Sequence, residues 1–148
     1  MAPLTPGSPF PEGVSFTYVH PTEFQNKKVV LVAVPGAFTP TCQEQHITSY
    51  LANLDQLKAK GVDAVIFIAY NDAFVMSAWG KANGVKDESI LFMSDANAEF
   101  SRSIGWTNGE RTGRYAIVVD HGKVVYAEAD TTRGSIAHSG AEGVLAKL

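Results

Sequence analysis

A single cysteine, Cys42, stands among 148 residues, so no disulfide can form within the chain. Four separated histidines (His20, His46, His121 and His138) and that one cysteine give no zinc-like ligand spacing, and no metal or other cofactor is expected. Basic runs are missing as well. The longest is the Lys27-Lys28 pair, the net charge is -3 and the pI is about 5.7, which makes nucleic acid and anionic membrane poor partners. The longest apolar run, Val29 to Val34, is far short of the roughly 20 residues of a membrane span. With no basic-then-apolar start of a secretory signal either, the chain is expected to be soluble and intracellular. Proline disappears after Pro40.

What is present fits one domain over residues 1–148, with residues 1–12 as an irregular, proline-rich arm. Val14, Phe16 and Tyr18 alternate like a half-buried strand, and Val29 to Val34 suits a central strand covered on both faces. Ile47, Tyr50, Leu51, Leu54 and Leu57 fall at helical spacing and predict one helix from about Pro40 to Lys60. Val62–Ala69 reads as a strand, Asn71-Asp72 can cap a helix running to Asn83-Gly84, and Ile90–Met93 is a short strand. Asp95 can cap a brief helix through Ile104. Tyr115–Val119 and Val124–Glu128 flank the turn-like Asp120-His121-Gly122 as a hairpin, and Ser139-Gly140-Ala141-Glu142 has the capping-box spacing of a last helix. The expected class is α/β, a mixed central sheet with helices on both faces.

The join between the most apolar strand and the clearest helix, Pro35-Gly36-Ala37-Phe38-Thr39-Pro40-Thr41-Cys42, is where such folds gather chemistry. Pro40 suits the first helical position, which needs no amide donor, and Thr39 before it suits the N-cap. Cys42 is then the third helical residue. Unpaired N–H groups and the positive end of the helix dipole favour a thiolate there, and the thiolate is the nucleophilic form. A capping box would place Glu or Gln in that slot, where a carboxylate would compete for the same donors. Thr39, three residues earlier, lies just beyond the helix end and can bring its hydroxyl to the same site.

The string PGAFTPTC resembles the active-site signature of peroxiredoxins, of the atypical type II or type 5 subgroup that includes fungal peroxisomal thiol peroxidases. The resemblance continues through Tyr70-Asn71-Asp72, Phe74-Val75-Met76, Ala78-Trp79, Ser94-Asp95 and Arg114-Tyr115-Ala116. It implies a thioredoxin-like fold, a homodimer, and a peroxidase acting on hydrogen peroxide and alkyl hydroperoxides through a Cys42 sulfenic acid. It also implies the catalytic set Cys42, Thr39, Arg114 and Pro35. Among the arginines, Arg102, Arg111 and Arg133 look solvated, whereas Arg114 begins an apolar strand; spacing alone barely favours it, and the resemblance selects it. Pro35 is carried over with it, and a proline there can shield the thiolate from water and stiffen the strand exit.

His46, four residues after Cys42, invites a Cys-His reading, but it would point along the helix flank; a packed or hydrogen-bonded histidine is expected. His20, His121 and His138 read as surface residues. Trp79, Phe38 and Phe74 are expected in the core, unless the family's dimerisation claims them. Where family members carry a resolving cysteine, this chain has Phe67 and His138. The cycle then needs an external thiol such as glutathione, glutaredoxin or thioredoxin, or else pairing of two Cys42 side chains from different subunits. The rival readings are a glutathione-dependent thiol oxidoreductase and a non-catalytic, chaperone-like module on the same fold. The C-terminal Ala146-Lys147-Leu148 is a near match to the peroxisomal Ser-Lys-Leu address, with the cytoplasm as the alternative.

Overall fold

The computed structural model describes residues 4–11 and 26–148. Its centre is the strand β1 (Lys28–Ala33), paired in parallel with β2 (Ala64–Ala69) on one side and antiparallel with β6 (Tyr115–Asp120) on the other. β3 (Leu91–Ser94) extends the sheet beside β2 and β7 (Lys123–Ala129) beside β6, giving the order β3-β2-β1-β6-β7. Alternate residues of β1 feed two separate cores. Val30 and Val32 pack with Ile47, Tyr50, Leu57, Met76 and Trp79 on one face, while Val29 and Leu31 pack with Phe10, Phe100 and Ile104 on the other. Burial on both faces is why this strand reads as an unbroken apolar run.

The first face is covered by α1 (Ile47–Ala52), α2 (Leu54–Ala59), α3 (Ala73–Ala82) and α5 (Ala141–Leu145). The second is covered by α4 (Glu99–Ser103) and by the N-terminal segment, where Phe10 is buried and Pro9 bridges to Lys123. The mixed sheet with helices on both faces is the expected α/β class. Residues 4–11, the described part of the arm, form no helix or strand and are pinned along β7, where the Gly7 N–H donates to Val124 O and the Val124 N–H to Ser8 O. The strand expected at Val14–Tyr18, and His20, lie outside the described residues.

Several elements depart from expectation for identifiable reasons. The single helix expected from Pro40 to Lys60 opens at Pro40 but widens to a π-helical turn at Cys42–His46, where the Ile47 N–H reaches back to the Cys42 carbonyl, and it breaks again at Asn53 (φ -119°). Asp72 caps α3 as expected, accepting from the Val75 N–H at 2.9 Å. Ser139 does not cap α5. Its hydroxyl and N–H both go to the Asp130 carboxylate, and Ser49 Oγ takes the Ala141 N–H instead. The hairpin turns through His121 (φ 48°) and Gly122 (φ 85°), the paired positive angles of a two-residue type I′ connection. A small ribbon, β4 (Thr107–Asn108) with β5 (Arg111–Thr112), was not anticipated.

Candidate active site

The chain leaves β1 through Pro35 and Gly36, turns at Phe38 in the left-handed region (φ 63°), and enters the helix that carries Cys42. A bulky residue with positive φ is strained, and several contacts hold the turn in place. Asn71 Oδ1 accepts from the Ala37 N–H at 2.9 Å, Ser94 Oγ donates to the Asn71 carbonyl at 2.6 Å, and the Thr39 N–H donates to the Gly36 carbonyl. The Thr39 hydroxyl also donates to Gly36 O, at 2.6 Å. Thr39 therefore precedes the helix as expected but makes no side-chain cap, because the turn aims a carbonyl at its hydroxyl. With its proton engaged, Oγ1 is left as an acceptor.

Cys42 Sγ is fully buried, at 0% exposure, and accepts a hydrogen bond from Arg114 Nη2 at 3.3 Å. The second guanidinium nitrogen, Nη1, lies 2.9 Å from His46 Nδ1, and His46 Nε2 lies 3.0 Å from the Ser139 carbonyl oxygen. A guanidinium only donates and a carbonyl only accepts, so the imidazole is neutral, with its proton on Nε2. Its pKa agrees. Burial pulls it down from 6.5 to about 4; the Ser139 hydrogen bond opposes that shift and the nearby Arg114 charge adds to it. His46 is the buried, hydrogen-bonded histidine that was expected, and with Nδ1 occupied it has no free base to offer the thiol.

Arg114 owes its place to β5 and β6. Thr112 Oγ1 donates to the Val34 carbonyl at 2.5 Å, tying the approach to the end of β1, and the Gly113 N–H donates to Trp106 O. A Cβ on Gly113 would lie 2.7 Å from that same oxygen, so only glycine fits immediately before the arginine. Sequence reading assigned no role to Thr112 or Gly113; the available signal was Asn108-Gly109, a hairpin dipeptide that marks the ribbon leading to them. Gln43 was also missed. Its side-chain oxygen accepts from Trp79 Nε1 at 2.6 Å and Asn83 Nδ2 at 3.1 Å, fastening the turn after Cys42 to α3.

Pro35, Thr39 and Arg114 line one cleft of about 810 Å³, together with Trp106, Asn108 and the 129–134 segment, so the structure brings together all four expected site residues. Arg133 lines the same cleft, while Arg102 is exposed and donates to Asn97 O. Arg111 is exposed but not loose: it lies over the Tyr70 ring, 5.5 Å from its centroid, and beside Gly36. His121 and His138 are exposed, as expected. Trp79 is core, whereas Phe38 (51% exposed) and Phe74 (87% exposed) are not. The turn at Phe38 and the start of α3 at Phe74 direct these two rings outward.

Comparison with known proteins agrees with this geometry. Residues 5–145 match the Redoxin family. The chain is 59% identical to Peroxiredoxin AHP1 of Chaetomium thermophilum, over 100% of this chain and 96% of that protein. It is 45% identical to a Lipomyces kononenkoae protein whose name calls it a peroxisomal peroxiredoxin, over 94% of this chain and 98% of that one. Among solved structures, reduced Prx3 of Vibrio vulnificus in complex with H2O2 superposes with a TM-score of 0.85 at 40% identity, covering 97% of this chain and 94% of that one.

Proposed function

Because the chain belongs to the Redoxin family and is a peroxiredoxin, a thiol-dependent peroxidase on a thioredoxin-like fold, we propose that its residues carry the reaction as follows. The Cys42 thiolate attacks the nearer oxygen of hydrogen peroxide or an alkyl hydroperoxide. The S–O bond forms as the O–O bond breaks, and its electron pair leaves on the distal oxygen, which takes a proton and departs as water or alcohol. Sulfur is oxidised by two electrons to the sulfenic acid. Arg114 Nη2 donates to the sulfur and to the charge moving along the breaking bond; Thr39 Oγ1, its own proton engaged, accepts from the peroxide O–H; Pro35 walls the site from water.

With Cys42 the only cysteine, an external thiol completes the cycle. Glutathione, glutaredoxin or thioredoxin attacks the sulfenic sulfur, releases water and leaves a mixed disulfide, which a second thiol reduces. No cofactor is needed for these steps. We place the protein in the peroxisomal matrix, on the C-terminal Ala146-Lys147-Leu148 and the naming of the Lipomyces relative, and take it as a homodimer, which the exposed rings of Phe38 and Phe74 support.

The observation that carries the peroxidase reading is the 3.3 Å hydrogen bond from Arg114 to Cys42. Single-turnover mixing with hydrogen peroxide, followed by intact mass, tests it. Cys42 should be oxidised rapidly, and Arg114→Gln should slow that oxidation about 100-fold or more while changing alkylation by iodoacetamide far less. A wild-type thiol that stays free in excess peroxide, or equal losses toward both reagents, would refute the reading and return the oxidoreductase and chaperone-like alternatives.

A further inference from the structure

We propose that Asp130, whose side chain makes no hydrogen bond to the reacting cysteine or the active-site guanidinium, is a positioning residue of the peroxidase reaction; the proposal rests on the mechanism above. Asp130 follows β7, and its N–H donates to the Arg114 carbonyl at 2.9 Å, so its main chain already fixes the arginine's backbone. Its carboxylate closes the following loop on itself. Oδ1 accepts from the His138 N–H at 3.0 Å and lies 3.5 Å from Ser135 Oγ; Oδ2 accepts from the Ser139 N–H at 2.7 Å and the Ser139 hydroxyl at 2.5 Å. No cation of the described residues is paired with it. The loop's own donors fill it.

What the loop delivers is the Ser139 carbonyl. That oxygen accepts from Tyr50 OH at 2.6 Å and from His46 Nε2 at 3.0 Å, in the buried layer beneath the site. Holding the proton on Nε2 leaves Nδ1 bare to receive Arg114 Nη1, and the planar guanidinium then has Nη2 set on Cys42 Sγ. From carboxylate to sulfur the links run through Ser139, His46 and Arg114. Only a carboxylate accepts on both sides of the loop: an amide at this position would turn its NH2 group toward either the His138 N–H or the Ser139 N–H, leaving that donor without an acceptor and the loop that carries the carbonyl free to shift.

A double-mutant cycle tests whether Asp130 acts through His46, using the full chain and single-turnover oxidation by hydrogen peroxide. Asp130→Asn should slow oxidation about tenfold while changing iodoacetamide alkylation by less than about twofold, because positioning matters for the peroxide transition state and hardly for alkylation. His46→Leu should also lose about tenfold, and the double variant should be no more than about twofold slower than His46→Leu alone. Losses that multiply, a normal Asp130→Asn, or parallel falls with both reagents would overturn the proposal. If Asp130→Asn does not fold, Ser139→Ala removes one donor and keeps the carbonyl. It should show a loss of about threefold that vanishes in the His46→Leu background, and a loss that persists there overturns the proposal equally. A wild-type Cys42 inert to peroxide would instead sink the mechanism itself.

Discussion

At the scale of single residues, His46 links the chemistry to pH. Folded, it is neutral and buried, with a pKa near 4; unfolded, it titrates at its ordinary 6.5. Between those values the unfolded chain binds a proton that the folded chain refuses, so stability falls as pH drops through that window. The span corresponds to roughly 3 kcal/mol at about 1.4 kcal/mol per unit. His46→Gln keeps a donor for the Ser139 carbonyl and an acceptor for Arg114 but does not titrate. Denaturant melts at pH 6.5 and pH 4 should therefore show the wild type losing on the order of 3 kcal/mol more than His46→Gln. Equal losses would show that the imidazole takes its proton without cost in the fold.

At the scale of elements, the junction between β5 and β6 decides where Arg114 stands. Gly113→Ala drives a Cβ against the Trp106 carbonyl at 2.7 Å, a backbone atom that cannot swing aside. The expected cost is about 1–3 kcal/mol in thermal or denaturant unfolding, with slower peroxide oxidation of Cys42 as the arginine shifts. An unchanged melt with unchanged rate would mean that the ribbon gives way freely. Elements of this kind also mark the limit of sequence reading. β1, β2 and β6 were legible because strands buried on both faces must be continuously apolar. The π-helical turn at Cys42–His46 was not, since a hydrogen bond shifted by one residue leaves no side-chain signature. The capping box at Ser139 was present in sequence and lost to Asp130, a stronger acceptor with no mark of its proximity in the spacing. Likewise Cys42 and Arg114, 72 residues apart, are joined by the sheet order; helix-start reasoning found the cysteine, and only family resemblance singled out its arginine.

At the scale of the whole molecule, the exposed rings are the telling feature. Phe38 leans on Trp79 of α3, with ring centroids 6.5 Å apart, and Phe74 stands at the start of the same helix, 87% exposed. Large rings left in water beside the turn that carries Thr39 suit the surface of the proposed homodimer. Phe74→Asp should lower the mass measured by light scattering at micromolar concentration from dimer to monomer, and because Phe74 packs into no core, the melting behaviour of the monomer should change little. A dimer that survives the charge places the interface elsewhere.

The burial of Cys42 also changes what it means to count this protein's thiols. A sulfur at 0% exposure, with Arg114 Nη2 donating to it at 3.3 Å, admits a two-oxygen molecule far more readily than a bulky maleimide or an aromatic disulfide reagent. Labelled while folded with such bulky reagents, the chain should score fewer thiols than the one it scores when unfolded first, whereas small iodoacetamide still reaches the sulfur. A redox inventory taken on native extracts with bulky reagents would thus undercount the reduced enzyme, an error that comes from packing and has nothing to do with peroxide.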